Sequence, residues 1–401
     1  PGHGEGHNSG QAVNIVAALA VKEIMENKGL PGTIVVWPGI AEELLGTKAW
    51  YARDGLFEGV DAVLFTHVSN NLSVSWGRAR GTGLVSVEYL FDGVAAHGAG
   101  DPWKGRSALD AVELMNIAWN YRREHLHPLQ RSHYVISNGG DQPNVVPSSA
   151  SVWYFIREVT AGGIRNNFST LHQIAEGASL MTDTSMSRRI VGAAYPRHFN
   201  RPIALAMDEN IKKVGLPSWS EDDQQFAKAL QTLMGAEEPE GLATELAGIT
   251  PDLEQPISGG SDDIGDISWN VPTVTLRYPS NVRGLQGHHW SSAMAMATPI
   301  AHKGAIAGAK VIASTMLDLI SNDVLVEEAQ NYFDDVQTAE EQYRPFISPN
   351  DPPAIDKNQD IMAKFKPMLE ELYYDADRFE TYLDQLGIDY PQLTPTEIRR
   401  N

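Results

Sequence analysis

Carboxylates and imidazoles gather in four separate places along this chain. The first is Gly2-His3-Gly4-Glu5-Gly6-His7-Asn8, where glycines alternate with Glu5 and His7 and let an extended backbone aim both side chains at one point. The others are the pair Glu42-Glu43, then His67, then His288. Such side chains take up and release protons in acid–base steps, and they hold divalent cations. Singly each is ordinary. A Glu-Glu pair is commonly a solvated helix start, and a lone histidine at a strand end is more often structural than a ligand. Their meaning depends on the elements that carry them.

Asn8 is a candidate N-cap with Gln11 three residues on, and Val13, Val16, Ala17, Ala20 and Ile24 follow at helical spacing. Lys28-Gly29 and Pro31 stop that helix. Thr33–Trp37 is a continuous apolar run, as in a strand covered on both faces. A helix-compatible stretch to Leu56 and a second strand, Ala62–Thr66, complete a β-α-β unit with a parallel crossover. Further on, helices are predicted near 202–214, 221–234 and 301–320, with a strand at Val274–Tyr278. Glu42-Glu43, His67 and His288 then all follow strand C-termini, the sheet edge where α/β proteins gather ligands.

The intervening residues have another rhythm. Strands at 84–91, 133–137, 149–157 and 187–194 alternate with helices capped by Ser107 and spanning 164–181, in the order β-α-β-β-α-β of a ferredoxin-like unit. Three regions follow: an α/β part at 1–78 and 200–320, an inserted domain at 79–199, and an extension at 321–401 whose Tyr373, Tyr374, Phe379 and Tyr382 are expected to pack on the α/β part. Within the insert, Ala150, Val152, Tyr154 and Ile156 form the apolar face of one strand, so Arg157 falls on the other face. A guanidinium there could grip a carboxylate through two parallel bonds or make a surface salt bridge. The Asp262-Asp263-Ile-Gly-Asp266 loop lacks the length and terminal Glu of an EF-hand, which leaves it to support other site residues from behind or to anchor the loop.

Composition narrows the partners. With a formal net charge of -20 and no Lys/Arg block, neither nucleic acid nor an anionic membrane is expected. Cysteine is absent, so there are no disulfides, thiolate metal sites or thiol nucleophiles. No continuous apolar run of about 18 residues stands out as a membrane span.

Taken together, these segments resemble the M20 peptidase family. The motif Gly2–Asn8 matches except at Glu5, and Glu42-Glu43, Thr66-His67, Ala95-Ala96-His97, Gly105–Val112, Asn144–Pro147, Ile174–Asp183, Ser261–Ser268 and Ile300–Gly304 match in order. The resemblance implies a mostly parallel α/β metallohydrolase with an inserted ferredoxin-like lid and dimerisation domain. It implies two divalent metals, Mn or Zn, held by Glu5, His7, Glu43, His67 and His288, with Glu42 as general base. By the same resemblance Asn144 and Arg157 take the substrate carboxylate, and His97 reaches the partner subunit's site to stabilise an oxyanion. Glu5 departs from the pattern, since related chains carry Cys there and the broader family Asp.

The activity so implied is hydrolysis of an N-acyl amino acid, aminobenzoyl-glutamate-like or related. An M20-type dipeptidase or carboxypeptidase is the alternative within enzymes, and a catalytically silent subunit completing a hetero-oligomer is the alternative outside them. A homodimer through the lid is expected. So is a further N-terminal segment that completes the sheet, in the same chain or as a separate fragment. Long relatives with such an extension are often exported, which points to the periplasm, the cytoplasm being the alternative.

Overall fold

The structure is a computed structural model and describes residues 4–391. Two halves have separate cores. The first is built on β1 (Val63–Ser69) and β8 (Thr273–Pro279), which pair in parallel with His67 opposite Arg277. Helix α1 (His7–Lys28) lies on one face with α10 (Pro299–Ser321) and α6 (Arg201–Val214), burying Val13, Ala17, Ile203, Leu276, Tyr278 and Ile312. On the other face lie two short helices, α2 (Glu42–Leu45) and α3 (Lys48–Arg53), and α8 (Ile264–Ser268). Helix α7 (Glu221–Leu233) opens with a full capping box at Ser220 and Asp223, and packs Phe226 and Leu230 near α9 (Trp290–Ala295).

The second half is an antiparallel sheet of β3 (Gly83–Asp92), β4 (Arg131–Asn138), β5 (Ser149–Glu158) and β6 (Ser185–Ala194), in the spatial order β4-β5-β3-β6. Helices α4 (Ala108–Arg122) and α5 (Ala161–Thr182) cover one face. Each has its sequence-coded cap, Ser107 accepting from Asp110 N and Thr160 from Gly163 N. Alternation along β3 and β5 sends Val85, Val87, Tyr89, Phe91, Val152, Tyr154 and Ile156 under the helices, where Trp119 and Met115 close the core. This is the ferredoxin-like topology. The short paired strands β2 (Gly77–Arg78) and β7 (His198–Phe199) stitch the two crossings between the halves.

After α11 (Asp323–Tyr332) and one π-type turn, the chain crosses back over both halves. Tyr343 Oη donates to Asp266 at 2.7 Å, Phe346 and Ile347 join the core beneath the sheet, and Trp50 Nε1 donates to the Asp351 carbonyl at 2.9 Å. Lys357 then reaches Glu88 on the open face of the sheet at 2.7 Å. The last helices, α12 (Gln359–Glu370) and α13 (Tyr382–Gln385), bury no residue.

Five expectations need correction. Asn8 is not the N-cap of α1: the helix begins at His7 with Gly6 in the capping position and no side-chain cap bond. Thr33–Trp37 forms no strand: its backbone is without ladder partners, because among the described residues only β8 flanks β1. It lines instead a groove of about 970 Å³ beside the free edge of β1. The buried stripe of α1 runs through Val13, Ala17, Val21 and Met25, whereas Val16 and Ile24 are exposed. In the extension Tyr373 and Tyr374 are exposed, Tyr374 turning its hydroxyl back to the Phe379 and Glu380 carbonyls, and the packing falls to Phe333, Tyr343, Phe346 and Ile347. Finally, α10 is by length and composition apolar enough to cross a bilayer, its isoleucines, leucines, valine and alanines carrying the hydropathy. Here its buried face is spent on α1, α6 and β8.

Candidate metal and active site

Strand ends and helix starts bring the chemistry together. The turn before α1 needs Gly6, whose φ is 73° and where a Cβ would stand 2.2 Å from Val68 Cγ2. That close approach lets His7, first residue of α1, meet His67 at the end of β1, with ring centroids 5.0 Å apart. Two non-glycine residues with left-handed backbone flank the same patch: Ala41 at φ 49°, just before Glu42, and His288 at φ 54°. Such strain persists only where surrounding structure enforces it, and functional sites are where it concentrates.

His7 Nε2 lies 3.1 Å from Glu42 Oε2 and 3.6 Å from Glu43 Oε1, while His288 Nε2 is 3.8 Å from Glu43 Oε2. Ligand atoms of His7, Glu42 and Glu43 all fall within 4.8 Å of one another. Burial opposes charge on His7, but the carboxylates of Glu42 and Glu43 outweigh it and hold the imidazole up at about 10. A group of carboxylates that so strongly favours a cation is chemically suited to a divalent metal, which would displace that proton. His67 is the opposite case. Burial and the Arg277 guanidinium press it down to about 4, and its Nδ1–H donates to the Val68 carbonyl at 2.8 Å. That bond fixes the neutral tautomer with the Nε2 lone pair free, as a metal-binding imidazole requires.

Of the neighbouring pair, His289 caps α9, its Nδ1 accepting from Ser291 N, so His288 alone is turned toward Glu43. Glu5 stands at the rim of the group, its Oε1 accepting from His288 N at 3.0 Å. Burial raises Glu42, as do Asp262 and Asp263 beyond it, against the opposing His7. Arg157 stands behind this group with Nη1 donating to Ser261 Oγ at 3.1 Å, while its buried Nε has no partner.

Asn144 and His97 share neither hydrogen bond nor ion pair with this group. Both are exposed on one rim of the sheet half, tied together by the bond from Gly98 N to the Asn144 carbonyl at 2.8 Å. His97 Nδ1 accepts from Ala99 N and Gly100 N, which leaves Nε2–H pointing outward.

Sequence reasoning passed over three cations. Lys48 is buried against Asp263, with Nζ–Oδ1 2.5 Å and its backbone N on Oδ2 at 3.1 Å. Arg197 stands 3.8 Å from Asp262, whose carboxyl stays near 2 despite the cost of burial because of that guanidinium and His67. Arg277 shares the level and face of His67. An Asp-Asp dipeptide in a buried loop was the available signal, since buried carboxylates call for cations.

Comparison with known proteins accords with this geometry. A family model described as a peptidase dimerisation domain matches residues 80–177. The chain is 32% identical to one of the two p-aminobenzoyl-glutamate hydrolase subunits of Escherichia coli K12, across 82% of this chain and 73% of that one. It is 28% identical to the Xaa-Arg dipeptidase of Homo sapiens, across 85% and 71% respectively. In shape it resembles the crystal structure of an aminobenzoyl-glutamate utilization protein from Klebsiella pneumoniae, with a TM-score of 0.53 at 19% identity, over 78% of this chain and 66% of that one. Its relatives are hydrolases and peptidases, and this chain is an enzyme of that amidohydrolase and peptidase class. This chain belongs to the M20 peptidase family, whose hydrolases generally use divalent metals.

Proposed function

We propose that this chain hydrolyses the amide bond of an N-acyl amino acid that carries a free carboxylate, of the aminobenzoyl-glutamate kind. The observation that carries the reading is the meeting of His7, Glu42, Glu43 and His67 from three separate segments, with His288 closing on Glu43 from a fourth. His7, Glu43, His67 and His288 would hold metal, with Glu5 as a fifth ligand after a shift of its side chain. Two Mn or Zn ions there would polarise the amide carbonyl and lower the pKa of a bound water. Glu42 would take the proton of the attacking water and return it to the leaving nitrogen; its upward shift through burial is in the direction a base needs near neutral pH. Arg157 receives the carboxylate at its guanidinium, whose buried Nε–H has no partner within the chain.

The outward Nε2–H of His97 suits a donor that acts in another subunit's site, so we assign a homodimer formed through the sheet half. A dipeptidase reading is favoured by the 27% and 28% identity to two mammalian Xaa-Arg dipeptidases, and differs only in the acyl side. The test is Glu42→Gln. Lost hydrolysis of p-aminobenzoyl-glutamate and of a dipeptide panel, with metal content unchanged by elemental analysis, supports the assignment; a wild type that binds no metal and cleaves nothing removes it.

A further inference from the structure

We infer that Ser261, backed by Thr82, is the residue that positions Arg157 for the substrate carboxylate; this rests on the role given to Arg157 above. Three segments meet at this point. Arg157 comes from β5 of the sheet half, Thr82 from the crossing that enters β3, and Ser261 from the loop before α8 in the other half.

The hydrogen bonds run in one direction. Thr82 Oγ1 donates to the Gly259 carbonyl at 3.1 Å, which spends its only proton. Its contact with Ser261 Oγ, also 3.1 Å, must therefore be received from Ser261, whose own proton is then spent. The Ser261 lone pairs are left for Arg157 Nη1 at 3.1 Å. Arg157 thus donates to Ser261, Ser261 to Thr82, and Thr82 to the backbone. Thr82 is buried, so this relay has little access to water as a substitute partner. Phe155 lies under the guanidinium, 5.2 Å from its centre. One face and one nitrogen are held, and the buried Nε–H has no partner in the chain. Fixing Nη1 sets the angle at which the guanidinium meets a carboxylate.

The loop that carries Ser261 is itself tied to the metal-type cluster. The next two residues are Asp262 and Asp263, and Asp263 binds both backbone and side chain of Lys48, which follows Glu42-Glu43 by one short turn. Ser261 therefore registers an arginine of one half against the reacting groups of the other. Its hydroxyl sets the separation between the carboxylate seat and the amide that must reach Glu42.

The experiment uses the full chain with metal supplied, and the best-cleaved member of a panel of N-acyl amino acids and dipeptides, beside the same compound amidated at its carboxylate. Ser261→Ala is expected to raise KM for the acid about tenfold, with kcat changed less than about threefold and the amidated compound unaffected. Ser261→Thr, which keeps the hydroxyl, restores the low KM, and Thr82→Val raises it about threefold. Thermal melts of all variants accompany the kinetics. Equal losses on acid and amide for Ser261→Ala, or no rescue by a folded Ser261→Thr, overturn the inference. Arg157→Met separates it from its premise: if that variant loses its preference for the acid while Ser261→Ala does not, only the positioning role fails. If Arg157→Met keeps the preference, or if nothing in the panel is cleaved, the carboxylate reading fails and takes this inference with it.

Discussion

The two halves of this molecule are finished to different degrees. In the sheet half each central strand has neighbours on both sides, each helix has its cap, and Val85, Tyr89, Trp119 and Ile156 are fully buried. In the half with the His7–Glu42–Glu43 group, β1 pairs only with β8 among the described residues, β8 is met on its other side by a single bridge from Ser73 to Arg277, and Val35, Val36, Ile15, Val16 and Leu19 face solvent. The difference teaches where each half draws its stability. The first takes it from antiparallel neighbours and a closed apolar layer. The second leans on helix packing around β8 and on charge pairs such as Lys48–Asp263, whose burial demands that both partners stay.

The contrast can be broken or sharpened by substitution. Glu42→Gln should remove hydrolysis by about 10³-fold or more, the size of a general-base contribution, without moving the melting temperature of either half; a large stability change would mean that Glu42 serves the fold instead. Trp119→Ala, which empties a fully buried site and strands the Ser132 hydroxyl, should cost about 3–5 kcal/mol by denaturant unfolding. Lys48→Met leaves Asp263 buried and unpaired and should cost about 3 kcal/mol, with amide exchange rising around α3 and α8 rather than in the sheet half. Uniform exchange across both halves would show that they unfold as one.

A smaller effect depends on pH. Burial pushes the Asp266 carboxyl up to about 7, although Tyr343 and the Tyr195 amide donate to it. A carboxyl raised above its unfolded value binds its proton more tightly when folded, so its contribution is complete below the unfolded pKa near 4 and is lost as pH climbs through about 7. Asp266→Asn should flatten the wild-type decline between pH 5 and 8 by about 2 kcal/mol; an unchanged profile would place the titration elsewhere. Smallest of all, Val36→Ser in the unpaired segment should change stability by less than about 0.5 kcal/mol, against the several lost at Trp119.

Legibility in the sequence followed the same divide. The sheet half was readable almost residue by residue, because alternation at Val85, Val87, Tyr89 and Phe91 and the cap at Ser107 are local signals answered by local neighbours, although the Thr160 cap was passed over. Thr33–Trp37 carried an equally strong apolar signal and formed no strand, since a ladder requires a neighbour that local composition does not supply. The residues singled out by type and placement, His7, Glu42, Glu43, His67 and His288, do meet. Ser261 and Thr82 were out of reach: their hydroxyls gain meaning only when residues 179 apart come within a hydrogen bond. The cations Lys48 and Arg277 were missed for the same reason, one being paired through tertiary structure and the other set beside His67 by strand register.

Where no further segment covers it, the edge of β1 that no described residue pairs has a colloidal consequence. Unpaired backbone beside apolar side chains is a template on which a second chain can add a strand, and little in the local sequence guards it. What keeps copies apart is long-range: a net charge of -20 gives every molecule a repulsive field. That protection has a reach of about 8 Å at physiological ionic strength and shrinks with added salt. It also vanishes as the solution is brought toward the pI of about 5.0. Light scattering from dilute protein should therefore stay flat at pH 8 in low salt and climb when salt is raised or pH lowered. The edge decides what the aggregates are made of, and the charge decides when they form.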